Sequence, residues 1–386
     1  SVLYSRPMFW CFGNPHLWLV WLVAITTTNY FLHFQFSSGS THVITLLSGA
    51  VLGYIVVSLT EFARDDVPLR RPLTILSMLI VGAIILKADV ATPFNYRGTT
   101  RNMGAWNNPN TFGAIVGGGI ILTIGLLIHT ICSGGKMARR WAFLEGVDGR
   151  LCNNQWRVRT ALLAVSAAMM LFGLLTSFSR GAWAATLVGL IILLSPIIAE
   201  SRTLRSLFNS GIRRQWLLLS VIVSAFGVLG FFKARYFDHD IIRRVVSIAN
   251  ANDFSTRNRI AAYQGALQMV SDKFWTGFGW NQPEPTYNQL YRMRKVDDGM
   301  AIQMNDYFMI ATTLGMPALF ILINSVVLAS PLSGSNPNGT RLLRNTCWAG
   351  ASVLLVSFFF DGGLFKLPTA AMFWILLSLA RISGPF

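Results

Sequence analysis

Three segments of this chain set guanidinium groups beside amides or aromatic rings, and a fourth sets a carboxylate beside an amide and a tyrosine. Arg97 and Arg101 precede Trp106, Asn108 and Asn110 around RNMGAWNNPNTFG, residues 101–113. Arg180 sits in TSFSRGAW, 176–183, between two apolar runs. Arg257 and Arg259 open STRNRIAAYQGALQMV, 255–270, with Tyr263 one helical turn after Arg259 on the same face. Asn305, Asp306 and Tyr307 lead into an apolar stretch within QMNDYFMIATTLGMPALF, 303–320. Guanidinium groups remain charged at physiological pH and meet phosphate oxygens through paired N–H bonds, so several around one pocket suit a pyrophosphate. A carboxylate entering an apolar span points the same way, toward function.

Each segment also has an ordinary reading. The asparagines suit a helix N-cap, and Pro109 fits the first helical turn, where its missing N–H costs little. Arg180 at a span end can reach lipid headgroups, Arg257 and Arg259 can form a solvated face, and Asp306 can cap its own helix. The five histidines (16, 33, 42, 129 and 239) form no metal-ligand spacing, and the four cysteines are scattered without a C-x-x-C pair. Neither a metal nor a cofactor is expected. His239, between Asp238 and Asp240, is the one histidine that qualifies as an acid or base.

The elements that position these groups are membrane helices. Hydrophobic residues make up 53% of the 386 and charged residues 12%, a composition that suits a bilayer better than a soluble core. Apolar windows fall near 17–36, 43–60, 73–90, 110–132, 160–178, 182–199, 216–233, 306–328, 346–361 and 367–383, about ten spans. The first residue is not Met, so this number is a minimum. The expected fold is all-α, a polytopic bundle forming one integral membrane domain over 1–386.

Basic loops at 64–71, 136–159 and 202–214 belong on the cytoplasmic side, which leaves 89–109, 176–181, 234–303 and 361–366 outside. The 32 lysines and arginines then divide almost evenly between the two sides, so the outer set is more basic than topology requires. The net charge of +16 fits anionic lipid headgroups and a phosphorylated substrate, with no nucleic acid expected. The long outer loop, 234–303, carries much of that charge, and its 255–270 stretch has apolar residues at 260, 263, 267 and 270 behind a Ser cap, the spacing of an amphipathic helix.

Taken in order, these segments resemble the O-antigen ligase and O-antigen polymerase superfamily of bacterial surface-polysaccharide assembly. The resemblance rests on Arg101, Gly104, Trp106, Asn108, Pro109 and Asn110; on Ser179, Arg180 and Gly181; on Arg259, Tyr263, Gly277 and Gly279; and on Asn305, Tyr307, Phe308 and Gly315. It covers about residues 95–320. The histidine that ligases place at the start of the last motif is Met304 here, a departure that favours a polymerase.

The resemblance implies an inverting, metal-independent glycosyltransferase in the bacterial inner membrane, with its site facing the periplasm and 234–303 a periplasmic loop. Its donor is an oligosaccharide on undecaprenyl pyrophosphate, and its acceptor a glycan or lipid A core. Arg180 and Arg259 are then expected to stabilise the departing pyrophosphate. Asp306, the carboxylate nearest the absent histidine, is the first choice of base, ahead of His239 and Glu284. Arg97, Arg101, Trp106, Asn108, Asn110, Arg257, Tyr263, Asn305 and Tyr307 are expected to bind substrate. A ligase to lipid A core or protein, and an anion transporter, are the competing functions.

Overall fold

The computed structural model describes residues 15–32, 42–48, 94–96, 99–106, 108–145, 149–199, 254–280, 282–292, 305–330 and 340–380, with residues 51, 77 and 80. Helices dominate them: α1 (Pro15–Leu32), α2 (Pro109–Glu145), α3 (Gly149–Thr176), α4 (Arg180–Ala199), α5 (Phe254–Asp272), α6 (Pro283–Thr286), α7 (Asp306–Leu314), α8 (Met316–Leu328), α9 (Thr340–Phe360) and α10 (Leu367–Ala380). The exception to the all-α expectation is a short antiparallel pair, β1 (Phe94–Tyr96) and β2 (Thr99–Arg101). Pro109–Thr130, Val158–Thr176 and Arg341–Phe360 are long and apolar enough to cross a membrane, while Arg180–Pro196, Met316–Leu328 and Leu367–Ala380 are apolar but shorter. The span expected at 216–233, and most of those at 43–60 and 73–90, lie outside the described residues. So do His239, Arg97, Met304 and both ends of the expected outer loop.

The chain packs as two compact units. One comprises residues 1–59, 247–335 and 354–383, the other 60–246, 336–353 and 384–386.

In the second of these, α2 lies against α3, α4 and the 340–353 part of α9 through small residues. A Cβ on Gly113 would come within 2.8 Å of Ala182 Cβ, and one on Gly125 within 2.8 Å of Thr346 Cβ. Close approach of this kind gives apolar helices their packing contacts where no hydrophobic effect separates helix from lipid. Pro196 lies inside α4 and cannot donate to the carbonyl of Ile192. Asn345 Nδ2 meets that carbonyl, donating to Ile192 O and Leu193 O, each at 3.3 Å.

In the first unit, the stretch expected to be one span over 306–328 is broken. Gly315 takes φ 85° and separates α7 from α8, and Pro317 follows it. Because Pro317 has no N–H, the carbonyl of Thr313 has no helical donor. The turn after α5 supplies one: Gly279 N donates to Thr313 O at 3.0 Å and Phe278 N to Thr312 O at 2.7 Å, while Met316 N donates to Phe274 O at 2.8 Å. Such contact between backbones requires glycine. A Cβ on Gly277 would lie 2.7 Å from Leu314 N, and one on Gly315 2.6 Å from the carbonyl carbon of Trp275. Two further bonds tie this turn to α1, from Asn29 Nδ2 to Thr276 O at 3.1 Å and from Trp280 Nε1 to Thr26 O at 3.4 Å.

Helix α5 forms where the sequence places it, but with a different inner face. It buries Ala262, Ala266 and Met269 against Tyr287, with Phe278, Tyr291 and Phe308 around them. Of the expected stripe, Val270 is buried, whereas Ile260 is 48% and Leu267 57% exposed. The reason is steric: the Tyr287 ring lies so near Gly265 that a Cβ there would sit 3.1 Å from Cδ2, and only small residues allow that approach. The helix begins at Phe254, so Ser255 lies within it rather than capping it.

The Pro196–Asn345 pairing yields a double-mutant test. Asn345→Leu leaves the Ile192 carbonyl without its side-chain donor and is expected to cost roughly 1 kcal/mol in reversible unfolding in detergent. In a Pro196→Ala background, where the restored backbone N–H at that position reaches the same carbonyl, the cost should fall by more than half. Equal costs in both backgrounds would show that the amide is not compensating for the proline.

Candidate functional site

The residues expected to bind substrate fall into two groups, one in each unit. In the second unit they gather at the turn joining α3 to α4. Carbonyls at the end of α3 lack helical partners, and the preceding strand supplies donors. Asn102 N donates to Thr176 O at 2.9 Å, and Arg101, 7% exposed, donates from Nε to Ser177 O at 2.9 Å. Its Nη2 donates to Asn110 Oδ1 at 2.8 Å. Asn108 Oδ1 accepts from Asn110 N at 2.8 Å and Thr111 N at 3.3 Å, capping α2 just ahead of Pro109. Trp106 stacks on Phe112 with centroids 6.0 Å apart. Arg101, Asn108 and Asn110 therefore hold the two helix ends together.

The turn itself is strained. Phe178, buried, has φ 48°, a left-handed conformation unfavourable for so bulky a residue and kept only where its surroundings enforce it. Ser177 Oγ accepts from Ser179 N at 3.2 Å, and Ser179 Oγ accepts from Ala182 N at 3.4 Å as the cap of α4. Arg180 is the first residue of that helix and is half-buried.

In the first unit the group lies along α5, α7 and the chain reversal after α9. Tyr263 packs on Phe308 at 5.1 Å, and further along Phe278 and Phe274 bond to Thr312 and Met316, so α5 and α7 run side by side in the same direction. Arg259 and Asn305, each about one turn ahead of its ring, consequently sit at the same end. Asn305 is the cap of α7, with Oδ1 accepting from Tyr307 N at 3.0 Å and Phe308 N at 3.2 Å. Its Nδ2 and the Nε of Arg259 are both buried without a hydrogen-bond partner among the described residues. Arg257, on the other side of the helix, is exposed.

Asp306 is the first residue of α7, and Asn305 takes the capping position that the sequence left open for the aspartate. Its Oδ2 accepts from Gly363 N at 2.6 Å and Leu364 N at 2.7 Å, and the residue is 2% exposed. The phenols are anchored on α9, Tyr307 donating to Leu355 O at 2.7 Å and Tyr263 to Phe359 O at 3.0 Å. Tyr291 donates to Asp272 Oδ2 at the far end of α5, and that carboxylate holds the phenol above its ordinary range.

The sequence places residues 361–366 outside but gives them no part in the site; they form a reversal stapled by the Lys366–Asp361 ion pair at 3.0 Å and held by Asp306. The signal was present in Asp361-Gly362-Gly363, a turn sequence between two apolar runs.

Residues 165–323 match the model of the O-antigen ligase family. No curated protein matches the chain. The O-antigen ligase match supports the resemblance to the ligase and polymerase superfamily, and with it a membrane-bound transferase acting in lipopolysaccharide biosynthesis. It contains Arg180, Arg257, Arg259, Tyr263, Asn305, Asp306 and Tyr307, whereas Arg101, Trp106, Asn108 and Asn110 precede it.

The anchoring geometry separates two substitutions of Asp306. Asn keeps an oxygen for Gly363 and Leu364 N–H, so Asp306→Asn should preserve most of the fold. Asp306→Ala leaves both N–H groups unmet and should destabilise the protein by about 2 kcal/mol, read as a lower midpoint in thermal unfolding. Equal midpoints for the two variants would remove the carboxylate from the architecture of this turn.

Proposed function

We propose that this protein is a glycosyltransferase that moves a glycan from undecaprenyl pyrophosphate to a hydroxyl of an acceptor glycan at the periplasmic face of the bacterial inner membrane. The acceptor is a second lipid-linked chain, which makes the enzyme a surface-polysaccharide polymerase. The observation that carries this reading is a pair of buried donors without acceptors among the described residues, Arg259 Nε and Asn305 Nδ2, in the segment that matches the O-antigen ligase family. Buried N–H groups are nearly always hydrogen-bonded. A diphosphate oxygen fits both donors and the positive charge.

In the reaction the acceptor oxygen attacks the anomeric carbon from the face opposite the diphosphate. The carbon–oxygen bond to the diphosphate breaks, its electron pair leaves with the lipid diphosphate, and the acceptor's proton passes to a base. Arg259 and Asn305 stabilise the charge that develops on the leaving oxygens, and Arg180 is kept as a catalytic candidate on the family resemblance alone. Asp306 Oδ1 is the proposed base, since Oδ2 already accepts two backbone N–H groups. Tyr263 and Tyr307 orient the arginine and asparagine through α9, whereas Arg257, on the other side of α5, stays outside this site. Arg101, Trp106, Asn108 and Asn110 support the turn that carries Arg180.

Met304 at the family's histidine position favours the polymerase over the ligase, whose acceptor is a finished core or a protein. The deciding experiment is reconstitution of the purified protein with an undecaprenyl-pyrophosphate oligosaccharide as sole substrate, products being resolved by length. A ladder is expected. Transfer only when lipid A core or a protein acceptor is added would replace the polymerase by a ligase, and no transfer to any acceptor would remove the reading. In the same assay Arg180→Ala and Arg259→Ala should each lower the rate by about a hundred- to a thousand-fold. Lys should restore little, because it lacks the planar fork.

A further inference from the structure

An apolar stripe that runs from α5 into the turn after it faces away from the core and needs an occupant. Leu267 is 57% exposed, Phe274 43% and Trp275 74%, with Lys273 exposed beside them. Phe274 and Trp275 meet edge to face at 5.1 Å. In water such a cluster of large apolar groups is unfavourable, and on a folded surface it marks a contact site. The pair is held in place from behind, because Phe274 O accepts from Met316 N and the Trp275 backbone lies against Gly315.

Three observations identify lipid as the occupant. The adjoining Thr276 carbonyl accepts from Asn29, three residues before the end of α1 at Leu32, or about 5 Å at helical rise. The pair is therefore near one end of an apolar helix. Second, it stands at the start of α8, whose Phe320, Ile323 and Val327 are 59%, 47% and 59% exposed along a 13-residue helix with Asn324 and Ser325 as its polar residues. The aromatic pair thus continues a largely apolar surface that hydrocarbon suits. Third, the composition is interfacial: a tryptophan and a phenylalanine together with a lysine, a side chain able to lay its stem along apolar groups while its ammonium reaches phosphate.

We propose that Phe274 and Trp275, with Leu267 and Lys273, form a lipid anchor seated in the outer-leaflet interface of the bilayer. The anchor sets the height of α5 above the lipid. Arg259 lies on that helix 15 residues before Phe274, so its distance from the membrane surface is fixed by this contact. The inference does not depend on the transfer reaction.

The test is tryptophan quenching in vesicles of phosphatidylcholine and phosphatidylglycerol, with and without bromine on the acyl chains. The emission contributed by Trp275, obtained by subtracting the spectrum of Trp275→Phe, should be quenched at least two-fold by brominated lipid and little affected by iodide in the buffer. Phe274→Trp reports the neighbouring position independently, and its added emission should behave the same way. Quenching by iodide and not by bromine would overturn the anchor in favour of a water-exposed surface. Quenching by neither would overturn it in favour of a protein partner or a second copy of the chain.

Discussion

The carbonyl of Thr313 has no helical donor, because the residue four ahead of it is Pro317, and the first unit is organised around how that carbonyl is met. In a low-dielectric interior an unmet carbonyl is expensive, and inside a bilayer no water is at hand to repair it. The G-F-G turn after α5 answers with two backbone N–H groups, which forces glycine at 277 and 315 where the chains touch. Pro196 poses the same problem in the second unit and receives a different answer, the side-chain amide of Asn345. The choice has consequences. A side chain repairs a helix without moving anything else, whereas a backbone turn fixes the whole element that carries it.

That element is α5. Once residues 274–279 are pinned to the break between α7 and α8, the direction of α5 is set, and its opposite end carries Arg259 alongside Asn305. Tyr263 and Tyr307 then tie the two helices to successive turns of α9, at Phe359 and Leu355, while Asp306 holds the reversal that follows. The polar groups of this region are consequently placed by a closed set of bonds to backbone atoms. This framework fixes the helix ends that carry Arg259 and Asn305.

The sequence conveyed the helices well where apolar runs were long, as in α2, α3 and α9, and it located α5 from the spacing of its polar and apolar residues. It failed where long-range contact decides. The inner face of α5 is alanine and glycine because Tyr287, more than twenty residues on, presses against Gly265, and no local pattern announces that. The break at Gly315 was written in Gly315-Met316-Pro317, yet hydropathy averages across it and returns one span. The motif residues themselves were legible. Their division of labour was not, since a hydrogen bond from Arg101 to Ser177 joins residues 76 positions apart.

Two asparagines show what separates an architectural role from a chemical one. Asn108 and Asn305 occupy the same kind of position, each offering Oδ1 to the first free N–H groups of a helix. As caps they are interchangeable, and sequence reasoning treats them alike. The difference lies in the other end of the amide, since Asn305 Nδ2 is buried with nothing to donate to among the described residues. The same contrast divides two arginines: Arg101 spends its Nε on Ser177 O, while the Nε of Arg259 is buried and meets no acceptor among the described residues. A fold gains nothing by enclosing a donor it cannot satisfy. Two such donors lie at the same end of the neighbouring helices α5 and α7.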